Sequence, residues 1–405
     1  MRAPKARFRS PRRRLIELVL ECKVFCVTLK RLASLEGFSM NYAGYRPIDC
    51  DVHITVPSMQ PLLPYMDDYW RDHLTNRGTD KLNLTLTTQP LGAPIMGRAD
   101  WRQPGKAPGS DLAALQRDAL DAFGSRVAIA HCVHTGQVFY SEDMAAAVCR
   151  ALNDHVAREW LDREPRLRAA IVVPAQNPDL AVQEIERRAD DHRFVEVQLL
   201  SMNEMPLGRR YYWLIYEAAQ RHDLPIGVHA GGGLRCPPTP IGWPSYFVED
   251  YVGHAQVFQS QLLSLIAEGV FSKFPKLKVV MVESGFTWLP GFLWRADKTW
   301  RGVRREVPWV TESPSTLVRR HVRFTLQPDN APPETAMLER VFEHIGSEDI
   351  LLFSTDYPHW HYDGLNALPK GFPDRLLQKL LVDNPLATYS RLRTAPAVAA
   401  KETAL

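Results

Sequence analysis

Eight short apolar runs, rich in β-branched residues, recur along this chain with amphipathic helical patterns between them. They are Pro47–Ile54, Val127–Val133, Ala169–Val173, Phe194–Leu199, Pro225–His229, Leu277–Glu283, Val322–Leu326 and Ile350–Ser354. Runs this continuous suit strands covered on both faces, as in parallel sheets. Ser141 is placed to cap a helix reaching about Asp162, and Asn177-Pro178 opens another. Tyr211–Arg221, Ala255–Glu268 and Pro332–His344 follow as further helices. Strand–helix alternation repeated eight times predicts an α/β chain folded as a (β/α)8 TIM barrel. The alternative is an open doubly wound sheet. That fold would normally carry a glycine-rich phosphate turn after strand one, and none follows here.

Two connections are longer than a barrel requires, and both leave the C-terminal ends of strands. Pro57–Arg126, after strand one, holds Tyr65, Tyr69, Trp70 and Trp101; Leu234–Gly253, after strand five, holds Trp243, Tyr246, Phe247 and Tyr251. Long loops at that face of a barrel shape a substrate pocket.

Charge divides the chain unevenly. Residues 1–39 carry ten Lys and Arg against three acids, a charge of +7, so a total of +3 leaves −4 for the rest. The expected division is a basic extension over 1–39, the barrel over 40–390 and a flexible tail over 391–405. Arg12-Arg13-Arg14 before Leu15-Ile16 resembles a twin-arginine signal, but Glu17, Glu21 and Lys23 interrupt its apolar stretch. A start at Met40 is the expectation favoured over targeting or anion binding. No segment approaches the roughly 18 uncharged apolar residues of a membrane span. The acidic body argues against nucleic acid as a partner. Six scattered cysteines without a C-x-x-C pair form no disulfide framework, which fits a reducing cytoplasm.

Three runs end in metal-ligand chemistry. Asp51 and His53 close the first, two apart and so expected on one side of the strand. His229 closes the fifth, ahead of Ala230-Gly231-Gly232-Gly233, and Asp356 closes the eighth. A strand-end Asp–His pair or a lone His is commonly structural. An unpaired carboxylate at the end of an apolar strand is expensive, and a cation removes that cost. Two imidazoles and two carboxylates make a first shell for Zn²⁺, Mn²⁺ or Fe²⁺.

These residues sit in longer stretches that resemble the amidohydrolase superfamily. The similarity is to its amidohydrolase-2 branch, which groups predicted metal-dependent hydrolases with aminocarboxymuconate-semialdehyde and resorcylate-type decarboxylases. The matching stretches are Ile48-Asp49-Cys50-Asp51-Val52-His53, Val228-His229-Ala230-Gly231-Gly232-Gly233 and Gly269–Val280. Glu283-Ser284-Gly285-Phe286-Thr287-Trp288-Leu289-Pro290 and Phe353-Ser354-Thr355-Asp356-Tyr357-Pro358-His359 complete them. The resemblance implies one divalent ion, zinc first and Mn or Fe next, held by Asp51, His53, His229 and Asp356. It implies that Asp356 also holds a proton. It implies no bridging lysine on strand four, where Phe194–Leu199 has none. Relatives commonly form homodimers.

The chain departs from that pattern twice. Asp51 replaces the first His of the strand-one pair. Glu283 stands where many decarboxylases of this branch place a proton-transferring His. Glu283 and His254 are therefore candidates for acid–base work beside Asp356; the plain alternative for Glu283 is an ion pair with Arg295 or Arg323. Arg323, Trp288 and His359 are candidates for binding substrate, with Trp360 and Tyr357 as further pocket aromatics. The expected activity is metal-dependent hydrolysis of a small, largely apolar or aromatic substrate. Non-oxidative decarboxylation of an aromatic or unsaturated acid is the alternative.

Overall fold

A computed structural model describes residues 42–81, 101–232, 237, 239–359 and 367–394. The barrel belongs to a compact unit that starts at Asn41; the basic extension and Trp360 lie outside the described residues.

All eight strand runs form strands. They are β1 (Ile48–His53), β2 (Val127–His131), β3 (Leu167–Val172), β4 (Phe194–Met202), β5 (Ile226–Gly232), β6 (Val279–Val282), β7 (Val322–Thr325) and β8 (Leu351–Leu352). They lie in sequential order, each parallel to the next. Backbone bonds from Cys50 N to Phe353 O (2.8 Å), Asp356 N to Asp51 O (3.0 Å) and His53 N to Tyr357 O (2.7 Å) return the end of β8 to β1. Every residue of β1 to β4 is buried. That is why these strands read as continuous apolar runs rather than alternating ones.

The helices start where their caps are. Ser141 Oγ accepts from Met144 N, and Asn177 Oδ1 accepts from Leu180 N. The helix expected from Ala255 begins eight residues earlier, spanning Phe247–Ala267. Glu249 holds its first turn by accepting from Ser245 N (3.0 Å) and Tyr246 N (2.8 Å). His254 therefore lies inside a helix, not on the strand-five loop.

Of the expected tail, residues 391–394 are described and 395–405 lie outside the described residues. Tyr389 and Leu392 are fully buried and pack with Ile48, Cys50, Val127, Val195, Val280 and Leu352. Arg391 donates to Phe194 O, at the start of β4, and to His222 O, just before β5. The segment through Leu392 thus closes the N-terminal end of the barrel. Its aromatic and leucine anchors, three residues apart, outweigh the polar character of the residues around them.

Among the described residues no helix is long and apolar enough to cross a membrane.

Candidate metal centre

β1 delivers Asp51 and His53, but not by simple alternation, because its register to β2 shifts between Asp49 and Val52. Asp49 fixes that irregular end. Its carboxylate accepts from Asp51 N (3.2 Å), Thr355 N (3.0 Å) and Thr355 Oγ1 (2.7 Å), tying β1 to the residue before Asp356. Burial pushes the Asp49 carboxyl up to about 7 even against these three donors.

Asp356 and Glu283 both have positive φ, 54° and 61°. Few non-glycine residues adopt that backbone, and it costs about 1–3 kcal/mol where it occurs. Thr325 Oγ1 accepts from Glu283 N (2.9 Å) and Asp51 O accepts from Asp356 N, so neighbouring strands enforce both turns. The result aims both carboxylates at His53.

His53 is the hub. Its Nε2 lies 2.8 Å from Glu283 Oε1, 3.1 Å from Asp356 Oδ1 and 3.6 Å from Asp51 Oδ1. His229 Nδ1 donates to Ala230 O (2.8 Å), which leaves the lone pair on Nε2. That atom is 3.4 Å from Glu283 Oε1 and 3.8 Å from Asp51 Oδ1. His359 Nδ1 sits 2.5 Å from Asp356 Oδ1 and 3.6 Å from Glu283 Oε1, and its ring packs 4.1 Å from that of His53.

Two overlapping quartets result, Asp51-His53-His229-Glu283 and His53-Glu283-Asp356-His359, each with ligand atoms within 4.8 Å of one another. The donor chemistry fits a divalent cation. Asp51 Oδ2 and His229 Nε2 are buried acceptors with no protein hydrogen bond, which is costly unless a cation takes their lone pairs.

The electrostatics record the same crowding. Burial opposes the Asp51 charge, but His53, His131 and His229 hold its pKa below the ordinary range. Burial also opposes the Glu283 charge, and His229, His359 and His53 outweigh it, leaving Glu283 well below the usual carboxylate range. Burial and His359 act to lower His53, yet Asp51, Asp356 and Glu283 raise it.

The cluster gathers Asp51, His53, His229, Glu283, Asp356 and His359. His359, expected against substrate, lies among the ligand candidates. Glu283 pairs with histidines and not with Arg295 or Arg323. His254 does not join: its Nδ1 donates one turn back to Asp250 O (2.9 Å). Its helix does border the site through Tyr251, whose phenol is pushed up by burial and by the Asp356 and Glu283 charges. Arg323 is a correction. Its guanidinium donates to Arg319 O and Val322 O, at the start of β7 and so at the opposite end of the barrel. Trp288 is held locally, its indole donating to Ser284 O and its ring packing on Phe292 and Phe324.

Three neighbours of the site, His131, Glu196 and Tyr389, were not singled out in the sequence. His131, ending β2, places Nδ1 2.9 Å from Asp51 Oδ1 and Nε2 2.7 Å from Glu196 Oε1. Tyr389 Oη donates to Glu196 Oε2 (2.8 Å). For His131 and Glu196, a polar residue inside a fully buried strand was the available signal.

A family profile described as amidohydrolase matches residues 48–391. The chain belongs to the amidohydrolase superfamily, in its amidohydrolase-2 branch. Among curated relatives, the gamma-resorcylate decarboxylase of Polaromonas sp. strain JS666 is 25% identical over 240 residues, covering 56% of this chain and 71% of that protein. The gamma-resorcylate decarboxylase of Rhizobium radiobacter is 26% identical over 283 residues, covering 64% and 84%. Among solved structures, 5-carboxyvanillate decarboxylase of Novosphingobium aromaticivorans, complexed with manganese and a nitrobenzoic acid, superposes with a TM-score of 0.63 at 19% identity. That match covers 87% of this chain and 98% of the other and shows the shared barrel fold. These amidohydrolase-branch relatives are decarboxylases, so they favour the carboxy-lyase expectation over the hydrolase one.

Proposed function

We propose that the protein is a metal-dependent, non-oxidative decarboxylase of an aromatic hydroxy acid. The observation that carries this reading is the His53–Glu283–Asp356 convergence, supported by relatives that are named as decarboxylases. Asp51, His53, His229 and Asp356 would hold one divalent ion, with Glu283 as a further oxygen donor. Such an ion would supply a Lewis acid toward the substrate's carboxylate and hydroxyl and would stabilise developing negative charge. Carboxylate-rich donor sets suit manganese, so we revise the zinc expectation to Mn²⁺.

The chain's own residues then have one chemical task. A proton must reach the ring carbon as the C–C bond breaks and CO2 leaves. Asp356 Oδ1 and His359 Nδ1, 2.5 Å apart, are the pair that holds it. Burial alone would lower His359, but Asp356 and Glu283 beside it raise it well above the ordinary histidine value, and the short contact to Asp356 places it to carry the proton. That proton becomes the new C–H hydrogen, and the pair is reprotonated from solvent. The histidines around Glu283 favour its charged form against the cost of burial, which suits it as an oxygen donor.

The test is a panel of hydroxybenzoates and lactones given to Mn²⁺-loaded protein, following CO2 and hydrolysed product together. CO2 equimolar with a phenol is expected. Ring-opened product without CO2 would restore the hydrolase reading.

A further inference from the structure

Behind Asp51 runs a buried polar chain that the proposed chemistry does not use. Asp51 Oδ1 faces His131 Nδ1 at 2.9 Å, His131 Nε2 faces Glu196 Oε1 at 2.7 Å, and Glu196 Oε2 accepts from Tyr389 Oη at 2.8 Å. Asp51, His131, Glu196 and Tyr389 are all fully buried. The chain links β1, β2 and β4 to the segment that closes the far end of the barrel.

Each link fixes the next. Both nitrogens of His131 face carboxylate oxygens, which only accept, so both nitrogens donate. Asp51 Oδ1 is thereby occupied by His131, while Oδ2 has no protein hydrogen bond. Oδ1 is also the oxygen nearest His53 Nε2 (3.6 Å) and His229 Nε2 (3.8 Å), so the bond from His131 fixes how the carboxylate faces the centre. Glu196 in turn is locked by two donors, one on each oxygen.

The space for Glu196 is also built. A Cβ placed on Gly227 would lie 2.0 Å from Glu196 Oε1 and 2.4 Å from its Cδ. Glycine in a strand interior marks such a close approach, and here it admits the carboxylate against the backbone of β5, two residues before His229.

We infer that Glu196 and Tyr389 are positioning residues for the metal centre, acting through His131 to orient Asp51, so that the C-terminal segment sets metal affinity from the opposite end of the barrel. This rests on the metal reading of the cluster. Groups that hydrogen-bond to ligand side chains typically change metal affinity by 10–100-fold when removed.

The experiment is Mn²⁺ titration of the metal-stripped full-length protein, with free Mn²⁺ read by electron paramagnetic resonance. Wild type, Tyr389→Phe, Glu196→Gln and Leu392→Ala are compared, each with a thermal melt. Tyr389→Phe keeps the ring and removes only the hydroxyl. It is expected to weaken Mn²⁺ binding about tenfold, and Glu196→Gln by about 10–100-fold. Leu392→Ala, in the same packed cluster, should lower the melting temperature and leave Mn²⁺ affinity unchanged. Wild-type affinity in folded Tyr389→Phe overturns the inference while leaving the metal centre standing. Equal weakening by Leu392→Ala overturns it too, since general loosening would then explain the effect. A wild type that binds no Mn²⁺ sinks the metal reading and this inference together.

Discussion

Glu283 Oε1 lies 2.8 Å from His53 Nε2, closer than either aspartate of the cluster comes to that nitrogen. The residue that departs from the pattern of related decarboxylases is thus the nearest carboxylate to the central histidine. Glu283→Gln should weaken Mn²⁺ binding by at least about tenfold, because it removes a charge from the ring of donors. Calorimetric titration checks this, and unchanged affinity would remove Glu283 from the centre.

Arg323 makes the opposite prediction. Its Nη1 donates to two carbonyls at the start of β7, at the end of the barrel away from the cluster, so Arg323→Gln should leave KM for a carboxylate substrate within about twofold. A stability loss of about 1 kcal/mol is the expected effect. Steady-state kinetics beside denaturant melts separate the two, and a tenfold rise in KM would return Arg323 to the substrate site.

Gly227→Ala tests the room made for Glu196. The new methyl would occupy the carboxylate's place and push it off His131. Overpacking of this kind costs about 1–3 kcal/mol, and Mn²⁺ affinity should fall with it. Urea unfolding and metal titration on the same variant would show both losses; neither appearing would mean that β5 yields without disturbing Glu196.

His134 governs a pH effect away from the metal centre. It is buried, its Nδ1 accepts from Gly136 N (3.0 Å), and burial lowers its pKa from 6.5 to about 4. The folded state therefore favours neutral imidazole. Its contribution is fully present above pH 6.5 and is lost as pH falls through about 4, to a total of about 3 kcal/mol. Asn can still accept from Gly136 N but does not titrate. Melts between pH 7.5 and 4 should show wild type falling more steeply than His134→Asn, and parallel curves would contradict the assignment.

The eight strands were legible because burial on both faces writes itself into sequence as unbroken apolar runs. Asp51, His53, His229 and Asp356 were legible because each ends such a run in chemistry that a core does not tolerate unaided. His131 was not, since one histidine at a strand end reads as structural until its partners are known. Glu196 and Tyr389 are 193 residues apart, and nothing local joins them. Arg323 was misread because alternation tells which face a strand residue takes but not which end of the barrel it serves. The docking of residues 389–392 was not legible because Tyr389 and Leu392 are sparse anchors among polar neighbours.

The most direct test of metal-dependent decarboxylation uses a carboxyl-labelled hydroxybenzoate turned over in D2O by Mn²⁺-loaded protein, with the metal-stripped protein beside it. The account predicts metal-dependent release of the label as CO2 and one deuterium on the carbon that carried the carboxylate. Label retained in an organic product, or equal turnover without metal, would contradict it.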